Sequence, residues 1–348
     1  MKTTYVSSNA INQALRYSML RMQADLTKSQ KEMSTLRVAD VGLALGSRTG
    51  LSVSLNRDVA RLNSLMDSNA LASSRLASTQ TALGQLADRG EDLRVTLAAA
   101  LSGNADPGVV RDDGSAMIEA MTAILNTSIN GEYLFAGINT DAQPIADFSD
   151  PASPNRVAFD QAFFNRFGFN QDDPAAANIT KAQMEAFIDT DVVPLFTGAA
   201  WSDWSSASDQ PIVSRIGLNE TTETSVSANI SGVRKLAMAA VLSGHLMSGN
   251  FNEGAIAAVV ERSLGFVAEG VAEVTDQRSA TGVAETRIKN ATTRIEMQVD
   301  LFERNIGDLE GVDPYEASTR VTALMTQIET SYSLTARLQQ LSLLNYLP

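Results

Sequence analysis

The chain has 348 residues, with 27 Lys and Arg against 40 Asp and Glu, and its formal net charge is −13. This length supports two or three domains with a sizeable core, and the acidic balance disfavours binding to the phosphate backbone of nucleic acids. Because the chain has no cysteine and a single histidine, thiol chemistry and the usual zinc ligand sets are excluded.

The N-terminal segment predicts an amphipathic helix. Residues 1–20 lack the continuous apolar core of a secretory signal peptide, so no cleaved signal is expected. Apolar residues then recur at alternating steps of four and three, which is the spacing of a helical packing seam. The seam consists of Leu15, Met19, Met22, Leu26, Met33 and Leu36, with Ser29 as its polar member.

A second, long helix is predicted over residues 52–101, where apolar and small residues follow heptad spacing. The glycines of the preceding segment VGLALGSRTG suggest a phosphate-binding loop at first sight. A Walker motif, however, needs Lys and Ser or Thr after its last glycine, whereas Ser47 and Arg48 follow Gly46. We therefore interpret residues 42–50 as a loop between helices.

A hairpin is predicted at Asn130-Gly131, because this dipeptide favours the tight turns that join two short strands. The residues that follow it, Tyr133-Leu134-Phe135, are rich in aromatic and apolar side chains and predict a strand.

The middle of the chain has a different composition from its flanks. Six of the nine prolines lie between Pro144 and Pro211, and eight of the twelve phenylalanines lie between Phe148 and Phe196. Residues 141–217 carry eleven acidic and four basic side chains. We expect an inserted, turn-rich and mostly β outer domain, with its aromatic side chains, Trp201 and Trp204 included, forming a core.

The C-terminal part returns to helical periodicity. Between its two long helices, Asp313 is a candidate helix cap, Pro314 suits a first helical position, and Glu316 occupies the capping-box position. We interpret these three residues as a joint between two layers of helices. The seam of the last helix consists of Val321, Leu324, Ile328, Leu334, Leu338, Leu341, Leu344 and Leu347.

The two chain ends are expected to pair. Residues 1–48 carry seven basic and three acidic side chains, whereas residues 280–348 carry six basic and nine acidic ones, so their net charges are opposite. An apolar C-terminal tail would remain exposed in a monomer. Contacts with other subunits are therefore expected along the seams.

Together these features predict a mainly α fold, a long helical rod built from both chain ends with the smaller mostly β insert. The predicted division is a terminal assembly domain of 1–45 and 312–348, a rod domain of 46–140 and 218–311, and the insert 141–217. No catalytic, cofactor-binding or metal-binding residues are predicted, and no segment approaches the length of about 20 apolar residues that spans a bilayer.

Three blocks resemble the flagellin superfamily: residues 30–58, the block NGEYLFAG at 130–137, and the C-terminal run 311–347. The middle block is similar to one in the hook-filament junction branch of that superfamily. Its key residues are Gly131, Tyr133, Leu134, Phe135 and Gly137. The first block departs from the common turn pattern of the family, because it reads Ala39-Asp40-Val41-Gly42.

This resemblance implies a structural role in the bacterial flagellum, outside the cell, after export without a cleaved signal peptide. The implied partners are further copies of the chain in a ring, hook-associated protein 1, flagellin, and an export chaperone that binds the C-terminal segment. A filament-forming flagellin is the nearest alternative. A secreted hydrolase that depends on His245 is the alternative from another class, although the chain has no Gly-x-Ser-x-Gly elbow.

Overall fold

The computed structural model describes the backbone of residues 8–344 and the side chains of residues 10 and 13–337. The chain divides into two compact units. The first unit joins the described residues up to Ser64 with those from Ile295 onward, and the second unit is Leu65–Arg294. The three-domain division predicted from the sequence stays a prediction.

Helices dominate both units, so the prediction of a mainly α fold is confirmed. The long helix expected over 52–101 is present as Thr49–Leu101. None of the helices in the described part of the chain is long and apolar enough to cross a membrane. The α-helices are α1 (Ser8–Thr35), α2 (Val41–Leu45), α3 (Thr49–Leu101), α4 (Pro107–Leu125), α5 (Pro154–Phe167), α6 (Lys181–Phe187), α7 (Val193–Thr197), α8 (Ser231–Gly244), α9 (Glu253–Glu310) and α10 (Pro314–Leu344).

Two short antiparallel hairpins supply the β structure of the described residues. β1 (Ser128–Ile129) pairs with β2 (Glu132–Tyr133), and β3 (Val213–Arg215) pairs with β4 (Thr221–Glu223). The first hairpin turns at Asn130 and Gly131, which have φ angles of 54° and 85°. Two consecutive positive φ values define the tight turn that the Asn-Gly dipeptide favours, so the predicted hairpin is confirmed. The strand is shorter than expected and ends at Tyr133.

The second unit is built around α8, which is buried on nearly every side from Gly232 to Gly244. A helix that is apolar all round must lie inside a core. Glycines allow its neighbours to approach closely, because Gly114 of α4 lies against Gly244 of α8 in backbone contact. The same hydrophobic core continues into the aromatic side chains of residues 148–204.

The expectation that residues 141–217 are mostly β is wrong. This segment contains α5, α6 and α7, together with a π-helical turn at Ile188–Val192 and one three-residue strand. The prolines of this segment are compatible with helices, because Pro154 and Pro194 occupy first turns, where no backbone N–H is required. The expected aromatic core is present: Trp201 and Trp204 are buried and stack with ring centroids 5.8 Å apart.

An ion-pair cluster joins α8 to α9 and makes the stability of the second unit depend on pH. Lys235 Nζ lies 2.7 Å from Glu269 Oε2 and 2.6 Å from Glu273 Oε1. Hydrogen bonds to Glu269, which has the larger effect, and to Glu273 raise the pKa of Lys235 above its ordinary value of 10.5. The hydrogen bond from Lys235 lowers the pKa of Glu273 below 4.5.

We expect Lys235→Met to lower the free energy of unfolding by about 1 kcal/mol at pH 7, a value discounted because both partners are partly exposed. Glu273 stabilises the fold above its unfolded pKa and loses this effect as the pH falls through its folded pKa. Lys235 stabilises the fold below 10.5 and loses this effect as the pH rises through its raised pKa. The difference in the free energy of unfolding between variant and wild type should therefore be constant near neutrality and shrink below about pH 4. Urea unfolding at pH 7 and pH 3 measures it, and an equal difference at both would contradict this assignment.

Candidate assembly site

The helices α1 and α10 pack against each other in the first unit, as the sequence predicts for the two chain ends. Gln23 Nε2 of α1 donates a hydrogen bond to Tyr332 Oη of α10 at 3.0 Å. Nearer the other end of the pair, Arg320 of α10 reaches Glu32 of α1. The helices are therefore antiparallel.

The predicted seam of α1 is divided between packed and exposed residues. Leu15, Met19, Met22 and Leu26 are half-buried in the first unit. Met33 is 42% exposed, because the buried stripe continues from Ser29, the predicted polar member, to Glu32; these two residues are 3% and 4% exposed. Leu36 follows the end of α1 and is 49% exposed.

The seam of α10 follows its predicted register as far as Ile328 and departs from it after that residue. Its buried and half-buried stripe includes Ile328, as predicted, but Leu334 lies outside it and is 49% exposed. The side chains of Leu338, Leu341 and Leu344 lie outside the described residues, as does the whole of Leu347. Subunit contacts through these seams stay a prediction. The observed stripe is Ala317, Val321, Leu324, Ile328, Ser331 and Thr335.

The predicted joint contains the expected helix cap. Asp313 Oδ1 accepts a hydrogen bond from the backbone N–H of Tyr315 at 2.8 Å, and Pro314 is the first residue of α10. The expected capping-box contact of Glu316 is replaced by an ion pair, because its Oε1 accepts from Arg320 Nη2 at 2.6 Å. The capping function of Asp313 is therefore confirmed in geometry.

A second layer of contacts at this joint is made by backbone groups. The segment after α1 runs antiparallel to the link between α9 and α10, with a bridge between Arg37 and Gly311. Val38 N–H donates to the carbonyl oxygen of Glu310 at 2.8 Å, and Val312 N–H donates to that of Leu36 at 3.0 Å. These bonds fasten the end of α1 to the start of α10.

Two buried carboxylates complete the joint, and sequence reasoning missed both. Glu32 and Glu310 are each 4% exposed. Glu32 accepts from Arg320 Nη1 at 3.2 Å and from the Ala39 N–H at 3.2 Å. Burying a charge is costly unless it is paired and hydrogen-bonded, so these contacts are needed for the fold to tolerate Glu32.

Glu310 is held in the same way. Its carboxylate accepts from the Ser52 hydroxyl, from Asn56 Nδ2 at 3.4 Å and from Arg37 Nη1 at 3.5 Å. Glu310 follows Ile306 by four residues and so lies on the buried stripe of α9. An acidic residue at a seam position was the sequence signal for this joint, which we call the carboxylate joint (Glu32, Glu310, Arg37 and Arg320).

The family block forms the first hairpin and is tied to α3 of the second unit. Arg75 Nη1 lies 2.6 Å from Glu132 Oε2, and its Nη2 donates to the carbonyl oxygen of Tyr133 at 2.9 Å. Leu134 and Phe135 are buried and Tyr133 is half-buried. Gly137 has a φ of 63° and lies against the Ser208 carbonyl oxygen, so a side chain there would collide with backbone. The block is therefore a packed structural element of the second unit.

The surroundings of His245 are those of a structural residue. The imidazole is 8% exposed, lies between the rings of Phe148 and Phe159, and its Nε2 is 2.6 Å from Asp160 Oδ1. The other contact to this ring nitrogen comes from Gln171 at 3.0 Å. Among the described residues no hydroxyl is hydrogen-bonded to the ring, so the nucleophile of a hydrolytic triad is not in place.

The described residues contain no cluster of three or more His, Cys, Asp or Glu side chains arranged to hold a metal ion. The features that this part of the chain brings together are therefore a helix pair, a buried polar joint and a packed hairpin. All three arrangements hold chain segments in position.

Comparison with known proteins places this arrangement in a family. The bacterial flagellin N-terminal helical region matches residues 6–140, and the bacterial flagellin C-terminal helical region matches residues 264–347. A search of curated proteins found no match.

The fold is shared with a solved chain from Vibrio parahaemolyticus that is provisionally described as a flagellar hook-associated protein. The two superpose with a TM-score of 0.52 at 10% identity, over 76% of this chain and 97% of the other. The two helical regions together cover more than half of the sequence, at both of its ends. The chain therefore belongs to the flagellin superfamily and is a structural component of the bacterial flagellum.

Proposed function

We propose that the chain is the adaptor of the hook-filament junction, hook-associated protein 3, and that it forms a ring between hook-associated protein 1 and flagellin. The observation that carries this proposal is the block at 130–137. Its sequence is similar to that of junction proteins, and it is folded as a hairpin that Arg75 holds on α3. The ending Leu-Asn-Tyr-Leu at 344–347 also favours a junction protein over a filament-forming flagellin.

Assembly would proceed by packing of the terminal helices between subunits. The outer surfaces of α1 and α10 retain large exposed apolar side chains, including Tyr17 and Leu20 at 74% and 61% exposure and Leu334 at 49%. Burial of one large apolar side chain contributes about 1.5–3 kcal/mol. A few such contacts per subunit would offset the ordering cost of the helix ends, which couples their folding to assembly.

The remaining partners follow from the same proposal. The protein would travel through the flagellar export channel, and an export chaperone would hold its C-terminal segment. That segment would become available for ring formation once the chaperone had dissociated. The protein would act outside the cell and without catalysis.

Immunogold electron microscopy of intact flagella tests the proposed location. An antibody against residues 146–215 should label a narrow band where the hook meets the filament. Label along the whole filament would instead identify a filament-forming flagellin. If flagella remain unlabelled while the antibody binds the purified chain, both assignments fail.

A further inference from the structure

The first unit carries a basic face on α3. Arg57 and Arg61 are exposed and are four residues apart, so they project from the same side of the helix. Val53, one turn earlier, is 61% exposed. We call Val53, Arg57 and Arg61 the α3 face.

An acidic face of similar length lies on α9. Glu296, Asp300 and Glu303 are exposed and follow the spacing of one helix side. Met297 and Leu301 beside them are 58% and 50% exposed. We call these five residues the α9 face. Arg304 is also exposed and follows Asp300 by one turn, so the α9 face keeps a net negative charge but includes one cation. Each face therefore combines a net charge of one sign with accessible apolar surface, which suits a docking surface.

The two faces do not neutralise each other within one chain. Among the described residues, the ion pairs of the first unit involve Arg37 and Arg320, and none involves a charged residue of either face. Ser52 near the start of α3 is hydrogen-bonded to Glu310 at the end of α9, and Asn69 further along α3 is hydrogen-bonded to Thr292 of α9. The two helices therefore run antiparallel, and Leu62 and Val299 are buried on them.

Helix geometry explains why these charges stay apart. At about 3.6 residues per turn, Leu62 and Val299 fix the inward directions of the two helices. The basic pair then projects from one flank of the antiparallel pair, and the acidic residues project from the opposite flank. Complementary charges on opposite flanks of one unit cannot meet in the same molecule, but they can meet between two copies.

We infer that the α3 face of one copy binds the α9 face of the next copy of the same chain. This inference rests on the self-assembly part of the proposed function and names the surfaces involved. Contact between two different faces is heterologous, and such contacts close into rings when the rotation between copies permits it. The charges would steer docking and select the register, and the apolar side chains would be covered on contact.

Charge reversal tests this pairing. Variant A is Arg57→Glu/Arg61→Glu, and variant B is Asp300→Lys/Glu303→Lys, each in the full chain. We expect sedimentation velocity at low salt to show wild-type association, and about tenfold weaker association for each variant alone, because each then presents two faces of like charge. An equimolar mixture of A and B should restore association, since every contact in an alternating array is again complementary.

The control for variant A is Arg89→Glu/Arg111→Glu, which makes the same change in net charge as variant A at exposed positions of the second unit. It should associate like the wild type. A wild-type chain that stays monomeric at low salt, unchanged association of A and B, or a mixture that fails to recover would each overturn the inference.

Disulfide trapping tests the geometry independently, because the chain has no cysteine of its own. Under mild oxidation Val53→Cys mixed with Met297→Cys should give a covalent dimer, whereas Val53→Cys alone should not. Dimers of Val53→Cys alone would indicate a symmetric contact and contradict the head-to-tail pairing. These readouts do not depend on location: immunogold label away from the junction would remove the adaptor proposal and leave this result standing.

Discussion

Replacing Gly114 by valine is expected to destabilise the second unit by about 3 kcal/mol, the upper end of the usual cost of overpacking. A Cβ at Gly114 would overlap the backbone N of Gly244 and the backbone carbon of Ser243. Backbone atoms cannot rotate away as a side chain can, so α4 and α8 would have to separate. That movement would open the core around α8, the most deeply buried helix in the described part of the chain.

Tryptophan fluorescence during urea unfolding measures this effect, because both tryptophans of the chain, Trp201 and Trp204, lie in the second unit. The matched control is Gly265→Ala in α9, where a Cβ meets no atom within 4 Å. This control should be neutral or more stable by up to about 1 kcal/mol, since alanine favours helix over glycine. Equal stability of Gly114→Val and wild type would show that the helices cross at a greater distance than described.

The first unit should also lose stability when the two arginines of the carboxylate joint are replaced. In Arg37→Met/Arg320→Met, Glu32 and Glu310 would remain buried without a positive partner. Removing one partner of a buried ion pair costs about 3–5 kcal/mol, but the two arginine side chains are 51% and 45% exposed. We therefore expect a combined loss of about 2–3 kcal/mol. The loss should appear as faster amide hydrogen exchange in peptides covering 30–48 and 305–325, with unchanged tryptophan fluorescence.

A further pair of substitutions distinguishes the effect of unpaired buried charges from a general loss of packing. Adding Glu32→Gln/Glu310→Gln to the double arginine variant removes both unpaired charges, while the amide oxygens still accept from Ser52, Asn56 and the Ala39 N–H. The protection of these peptides against amide hydrogen exchange should then recover in part. Arg89→Met, which removes an exposed i,i+3 pair, should change little. If the glutamine changes make exchange faster still, the carboxylates are not the unstable element.

Local signals in the sequence were sufficient to predict several elements of the fold. The Asn-Gly dipeptide predicted the turn at 130–131, because few residue types adopt two positive φ angles in succession. Asp313 and Pro314 predicted the start of α10, since capping and a missing N–H depend on a few neighbouring residues. Long stretches without proline and with helical periodicity predicted α3 within three residues of its observed start.

The predictions failed where distant contacts decide the structure. Phe159, Phe163 and Phe167 lie four residues apart on α5, and the prediction of a mostly β insert did not take this helical spacing into account. The seam of α1 passes from Ser29 to Glu32, instead of to Met33, because Arg320, 288 residues beyond Glu32, neutralises the buried carboxylate. No periodicity within one helix contains that information.

The sequence by itself therefore determined the mainly helical fold, the hairpin and the cap of α10, since each depends on local propensity. It also predicted the pairing of the two chain ends, although the ion pair that joins α1 to α10 links an acidic residue of α1, Glu32, to a basic residue of α10, Arg320. The tertiary structure alone decided which seam residues are packed and which stay exposed. It also decided that residues 148–204 share the core around α8, and that two glutamates are buried at the joint. The physical reason is that burial depends on which segments meet, and the partners that satisfy Glu32 and Glu310 lie up to 288 residues away in the chain.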